Sequence, residues 1–153
     1  MTFYKYLKSH AENRPDATAI IEGDCRLSFS ELCQQVESFA SALAELPLNA
    51  NSKVGLLCLN QKEHIVAMLG CLLKGVAFIP FNFLLKPDDL VFIAQDAGID
   101  ILVVDSAFVK PEIFTFFKFF PNKILIGPAD AGQVGEKTHR FEEFLKSGKN
   151  ENA

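Results

Sequence analysis

The residues best suited to phosphate chemistry lie in GPADAGQVGEKT, Gly127 to Thr138, a glycine-rich loop with a lysine and a threonine that follows an apolar run. A phosphate-cradling loop needs Gly, Lys and Ser/Thr to be contiguous, so that backbone amides and the lysine converge on one anion. Here Glu136 separates Gly135 from Lys137, and Asp130 adds a second negative charge. We therefore read the stretch as a surface loop. Four cysteines, Cys25, Cys33, Cys58 and Cys71, lie 8, 25 and 13 residues apart without a C-x-x-C pair. The expectation is buried thiols of a reducing compartment, not metal ligands. His10, His64 and His139 have no ligand-like spacing. No Gly-x-Gly-x-x-Gly follows a strand signal, and no Ser/His/Asp or Cys/His set can be singled out. The sequence thus assigns no catalytic, cofactor-binding or metal-binding residue to this chain. IFTFFKFF, Ile113 to Phe120, carries five aromatics that either pack on a core or line an acyl pocket or partner surface. A helix turning Phe inward is the simpler account.

Such residues need elements to hold them. The 153 residues are 49% hydrophobic and 22% charged, enough to bury one sizeable core. A net charge of −4 offers no clustered Lys and Arg for nucleic acid. The N-terminus lacks the apolar run of a signal peptide. Val66 to Leu85 is long and nearly uncharged, but Gly70, Gly75, Pro80 and Asn82 punctuate it as a helix, a turn and a buried strand. No transmembrane segment is expected.

Alternation of helix and strand signals runs through the rest. Residues 3–13 read as a helix ended by Pro15. Ala17–Glu22 and Arg26–Ser28 pair as a hairpin about Gly23-Asp24. Ser28 and Glu31 make a capping box for a helix with Leu32, Val36, Phe39 and Leu43 on one face, stopped by Pro47. Val54–Leu59 reads as a buried strand, and Asn60 with Glu63 as a second capping box. Pro87 opens a helix ending at Gly98, with Asp88 and Asp89 favourable at its N-terminal dipole. Ile99–Asp105 is a further strand, Pro111 starts the Phe-rich helix, and Lys123–Gly127 is the last strand. The predicted fold is α/β, three-layered, a mostly parallel sheet with helices on both faces plus an N-terminal β-hairpin. Residues 1–146 are expected to form one domain, and 147–153 a frayed polar tail.

LSFSEL (Leu27–Leu32), CLLKGVAFIPFN (Cys71–Asn82) and LLKPDDLVFIAQDAGIDILVVD (Leu84–Asp105), in this order, resemble the start of the adenylate-forming, AMP-binding enzymes. ENRPDATAII (Glu12–Ile21) and SKVGLLCLNQKEHIVAMLGCLLKG (Ser52–Gly75) fit the same pattern, which covers about Phe3 to Phe108. Asn82 is similar to the acyl-CoA synthetase and fatty-acid–CoA ligase branch. Phe83 stands where a Pro is common, and Lys74 where a small or apolar residue is usual. The resemblance implies an enzyme that uses ATP and Mg2+ to make an acyl-adenylate, then transfers the acyl group to coenzyme A. The motifs that carry this chemistry in the family have no counterpart among these residues.

The expectation is an N-terminal fragment of a cytoplasmic acyl-activating ligase, without cofactor of its own and inactive alone. Its partner would be the missing catalytic core and C-terminal lid, or a second copy bound through the exposed docking face. Two alternatives stay open: a non-catalytic binding module or half of a split ligase, and an unrelated doubly wound nucleotide-binding domain.

Overall fold

The computed structural model describes residues 3–149. Helix α1 (Phe3–Asn13) precedes a hairpin of β1 (Thr18–Glu22) and β2 (Cys25–Ser28). Then come α2 (Phe29–Ala44), β3 (Lys53–Leu57), α3 (Lys62–Lys74), β4 (Ala77–Pro80), α4 (Pro87–Ala97) and β5 (Ile101–Asp105). Two short 3-10 turns, Ser106–Phe108 and Pro111–Ile113, lead into α5 (Phe114–Phe117). The described residues finish with β6 (Asn122–Ile126), α6 (Ala131–Val134), β7 (Thr138–Arg140) and α7 (Phe141–Lys149). β1 and β2 pair antiparallel, whereas β4-β3-β5-β6-β7 form one parallel sheet in that order.

Side-chain alternation along the central strands sorts the core into two halves. Val54, Leu56, Ile101, Val103, Ile124 and Ile126 face α2, α3 and α7. Leu57, Leu102, Val104 and Leu125 face α4 and the Phe-rich segment. Both faces are covered, which is why these strands are apolar at nearly every position. The expected three-layer α/β fold is the one observed.

Local chemistry explains most boundaries. Ser28 Oγ accepts the Glu31 N–H at 3.2 Å and Glu31 accepts the Ser28 N–H at 2.8 Å, completing the capping box that opens α2. α3 and α4 end at Gly75 and Gly98. Pro87 stands at the first turn of α4, with Asp88 and Asp89 beside it. α7 crosses α2 at Gly148, where a Cβ would lie 2.0 Å from the Ser38 carbonyl oxygen, so only glycine fits.

Several expectations need correction. Gln61, not Asn60, is the N-cap of α3, and it makes no side-chain cap bond. α3 starts one residue later than the Asn60–Glu63 box requires, and Glu22 of the hairpin accepts the Lys62 N–H in place of a local cap. β4 is a half-covered edge strand rather than a buried one, with Ala77 and Pro80 exposed. Pro80 lacks an N–H to donate and is tolerated because the sheet ends there. The Phe-rich segment breaks into a 3-10 turn and the four-residue α5 instead of one helix. β6 is not the last strand: Thr138–Arg140 adds β7 on its free edge. The polar tail does not begin at residue 147, because α7 continues to Lys149 and buries Gly148 against α2. Cys33, Cys58 and Cys71 are buried as expected, but Cys25 is exposed on the hairpin.

Candidate functional site

In a doubly wound sheet, ligands bind beyond the carboxyl ends of the strands, where consecutive connections leave for opposite faces. β3 leads to α3 on one face, and β5 leads to the Phe-rich segment on the other. The switch therefore falls between the ends of β3 and β5.

A polar tether spans that point. Asp105, the last residue of β5, is buried, and its carboxylate accepts the Gln61 Nε2–H at 2.5 Å and the Ala107 N–H at 2.7 Å. Gln61 belongs to the turn after β3, so one carboxylate fixes both connections. Cys58 Sγ donates to the Val103 carbonyl at 3.6 Å, and burial and the nearby Asp105 charge push its thiol pKa well up. A neutral, inaccessible thiol is not a nucleophile.

Two clefts flank the tether. On the α3 side, the hairpin residues Ile20–Gly23 and the first turns of α3 enclose about 520 Å³. Its walls are apolar (Ile20, Ile65, Met68) and its rim is polar (Glu22, Asn60, Gln61). Glu22 accepts the Lys62 N–H at 2.6 Å, and Lys62 pairs with Glu63 at 2.9 Å. The Glu63 carboxylate raises the pKa of the Lys62 ammonium. His64 also lines this cleft, and its Nδ1 is buried without a hydrogen-bond partner.

On the opposite side, Leu57, Phe83, Leu85, Leu90, Phe108 and Ile113 surround about 340 Å³. Phe83 stacks on Phe108 with ring centroids 5.4 Å apart. Asn82 shapes the loop: its Oδ1 accepts the Leu84 N–H at 3.0 Å and its carbonyl accepts the Leu85 N–H. The loop leaves Phe83 and Leu84 exposed, the latter at 81%, and Leu59, just beyond β3, is exposed at the same carboxyl edge, so that the three form an apolar lip. Solvent-facing hydrophobes clustered on one rim mark a surface that something else covers.

The glycine-rich stretch is not at this edge as a unit. Gly127 follows β6 at the carboxyl end, while Gly135–Lys137 precede β7 at the amino end. At about 3.3 Å per residue the two ends lie a strand length apart, so no single cradle forms. Arg140 instead donates to the Gly127 and Ala129 carbonyls at 2.9 Å, pinning the loop after β6. Phe116, Phe117 and Phe120 are core residues, whereas Phe119 is exposed. Among the described residues, no three His, Cys, Asp or Glu side chains converge as metal ligands would. The Asp105–Gln61 tether and the Glu22 cap escape sequence reasoning because their partners are 44 and 40 residues apart.

The geometry defines a parallel α/β sheet whose connections change face between β3 and β5. Residues 7–143 match the model of the AMP-binding enzyme family, and this chain belongs to that family. It is 28% identical over 105 residues to the 2-succinylbenzoate–CoA ligase of Bacillus licheniformis, covering 69% of this chain and 22% of that enzyme. It is equally 28% identical over 106 residues to tyrocidine synthase 1 of Brevibacillus parabrevis, covering 69% of this chain and 10% of that protein. A benzoate CoA ligase from Burkholderia xenovorans superposes with a TM-score of 0.82 at 26% identity, over 96% of this chain and 28% of the other. An anthranilate CoA ligase in complex with anthranoyl-AMP shares the fold with a TM-score of 0.82 at 23% identity. The chain thus spans about a quarter or less of the length of these ligases.

Proposed function

We propose that this chain is the N-terminal α/β subdomain of a cytoplasmic ATP-dependent acid–thiol ligase, inactive by itself. The parent enzyme would convert an acyl or aryl carboxylate and ATP to an acyl-adenylate, release pyrophosphate, and pass the acyl group to coenzyme A. The observation that carries this reading is the match over residues 7–143 to a family whose ligases are roughly threefold longer.

The residues at the carboxyl edge support a supporting role and not a reacting one. Mg2+-ATP chemistry needs amides and a cation gathered on the phosphates and a lysine at the carboxylate. The carboxyl edge offers Asp105 and Glu22, both engaged with backbone or amide donors. ATP, Mg2+ and coenzyme A are accordingly held by the remainder of the ligase, which seats on the lip of Leu59, Phe83 and Leu84. The Asp105–Gln61 tether keeps that edge rigid for the remainder to pack on.

Complementation tests this. The remainder of the benzoate CoA ligase, produced without its own N-terminal part, should regain thioester formation when mixed with or fused to this chain. A complementing pair that assembles but stays inert with every carboxylate tried would oppose the ligase assignment. Failure to assemble would oppose the docking face.

A further inference from the structure

The amino end of the sheet, opposite the ligase edge, holds a second cluster of charge. A cavity of about 330 Å³ there is lined by Lys118, Lys123 and Lys137, with Glu136 as its acid and Phe117 and Phe120 among its walls. Lys123 is the anomaly. It is the second residue of a strand whose five positions are all buried, and it is itself only 5% exposed. Its Nζ donates to the Phe120 carbonyl at 2.9 Å, yet among the described residues no carboxylate lies within 4.0 Å of it. An ammonium has three donors, and burying one without a counter-charge is costly. Burial accordingly pushes its pKa down, with Glu136 opposing more weakly.

A second observation falls on the same cavity. Lys137 has φ of +52°, the one non-glycine residue among those described with positive φ. Its carbonyl accepts the Lys123 N–H at 3.1 Å, and Thr138 Oγ1 donates to the Gly135 carbonyl at 2.6 Å. These bonds hold an unfavourable backbone that carries the third lysine to the cavity. A glycine would serve the turn without strain, so the turn alone does not account for a lysine.

We propose that this cavity is a binding site for a small phosphoryl oxyanion, anchored by the buried Lys123 and flanked at its open mouth by the exposed Lys118 and Lys137. Three cations against one carboxylate leave an excess of positive charge, and a tetrahedral oxyanion supplies acceptors for the free ammonium donors. The volume exceeds one phosphate, and the aromatic walls suit an organic substituent. The site does not depend on the ligase assignment.

Titration of the 153-residue chain with inorganic phosphate and, separately, phenyl phosphate, at fixed ionic strength, tests it. Calorimetry and the shift in Tm both report binding, with acetate and chloride as controls. Saturable binding of either phosphate is expected, tighter for phenyl phosphate if an organic phosphomonoester is the true ligand and equal if free phosphate is. Lys123→Met, which suits the buried strand, should weaken binding roughly tenfold, the effect of losing one charge-assisted contact. Lys137→Gly relieves the positive φ, so it should fold at least as well yet bind several-fold more weakly. Absence of saturable binding by both probes at millimolar concentration, or affinity unchanged in both variants, would overturn the proposal.

Discussion

The carboxylate of Glu22, on the hairpin, accepts the backbone N–H of Lys62 in the first turn of α3 at 2.6 Å. α3 thus borrows its cap from an element 40 residues upstream. The contact locks the hairpin over the α3-side cleft. Glu22→Ala should cost about 1 kcal/mol in urea unfolding, the usual cost of a lost N-terminal cap. Glu22→Gln keeps an acceptor and should cost less than half of that. Equal stability of the wild type and Glu22→Ala would show that the contact contributes nothing.

Asp105 should be the most sensitive polar residue at the carboxyl edge. Asp105→Ala leaves the Gln61 amide and the Ala107 N–H without their acceptor at a part-buried site. A loss of about 2 kcal/mol is expected, with faster amide exchange in both turns. Asp105→Asn should recover part of the loss.

Close approach of helices to α2 depends on two glycines. A Cβ at Gly148 would meet main-chain atoms of Ser38 and Ala42, which cannot yield, whereas at Gly70 it would meet the Phe39 ring at 2.6 Å. Gly148→Ala should detach α7 and expose Phe141 and Phe144, seen as rapid amide exchange confined to that helix and the face it covers. Gly70→Ala should cost about 1–3 kcal/mol through overpacking, with α3 still in place. Both are read by denaturant unfolding with hydrogen exchange.

Cys71 fixes an alkaline limit. Burial raises its thiol pKa from 9.0 to about 12. Above pH 9 the unfolded chain releases the thiol proton while the folded chain keeps it, so stability falls between pH 9 and pH 12. The contribution is fully present below pH 9. Cys71→Ala should be less stable at neutral pH but show a shallower decline over this window, as measured by chemical unfolding at stepped pH.

The exposed lip should be dispensable for folding. Leu84 is 81% exposed, so Leu84→Asp should change stability by less than about 0.5 kcal/mol. In complementation it should weaken seating of the ligase remainder. A destabilised variant would place Leu84 in the core instead.

What was legible in the sequence was local. The Ser28–Glu31 box, Pro87 at the start of α4 and the hairpin at Gly23-Asp24 depend on neighbours a few residues apart, and each appears where the residues predict it. The Asn60–Glu63 box failed because the α3 cap is tertiary. β7 escaped notice because Thr138–Arg140 is too short for a period and exists only by pairing with β6. α7 did leave a signal, since Phe141, Phe144 and Leu145 lie on one helical face after two acids in the first turn. β4 reads as buried because VAFIPF is apolar throughout, and the one local mark of an edge is Pro80, which cannot donate to a ladder. The site was less legible still: Asp105 and Gln61 meet only once the parallel sheet is assembled.

The most direct test of the central claim is ATP–pyrophosphate exchange with Mg2+ and a panel of aliphatic and aromatic carboxylates. The chain alone should give no exchange above background, and exchange should appear when it replaces the N-terminal part of a related CoA ligase. Carboxylate-dependent exchange by the 153-residue chain alone would contradict the account, because the adenylating residues would then lie within it.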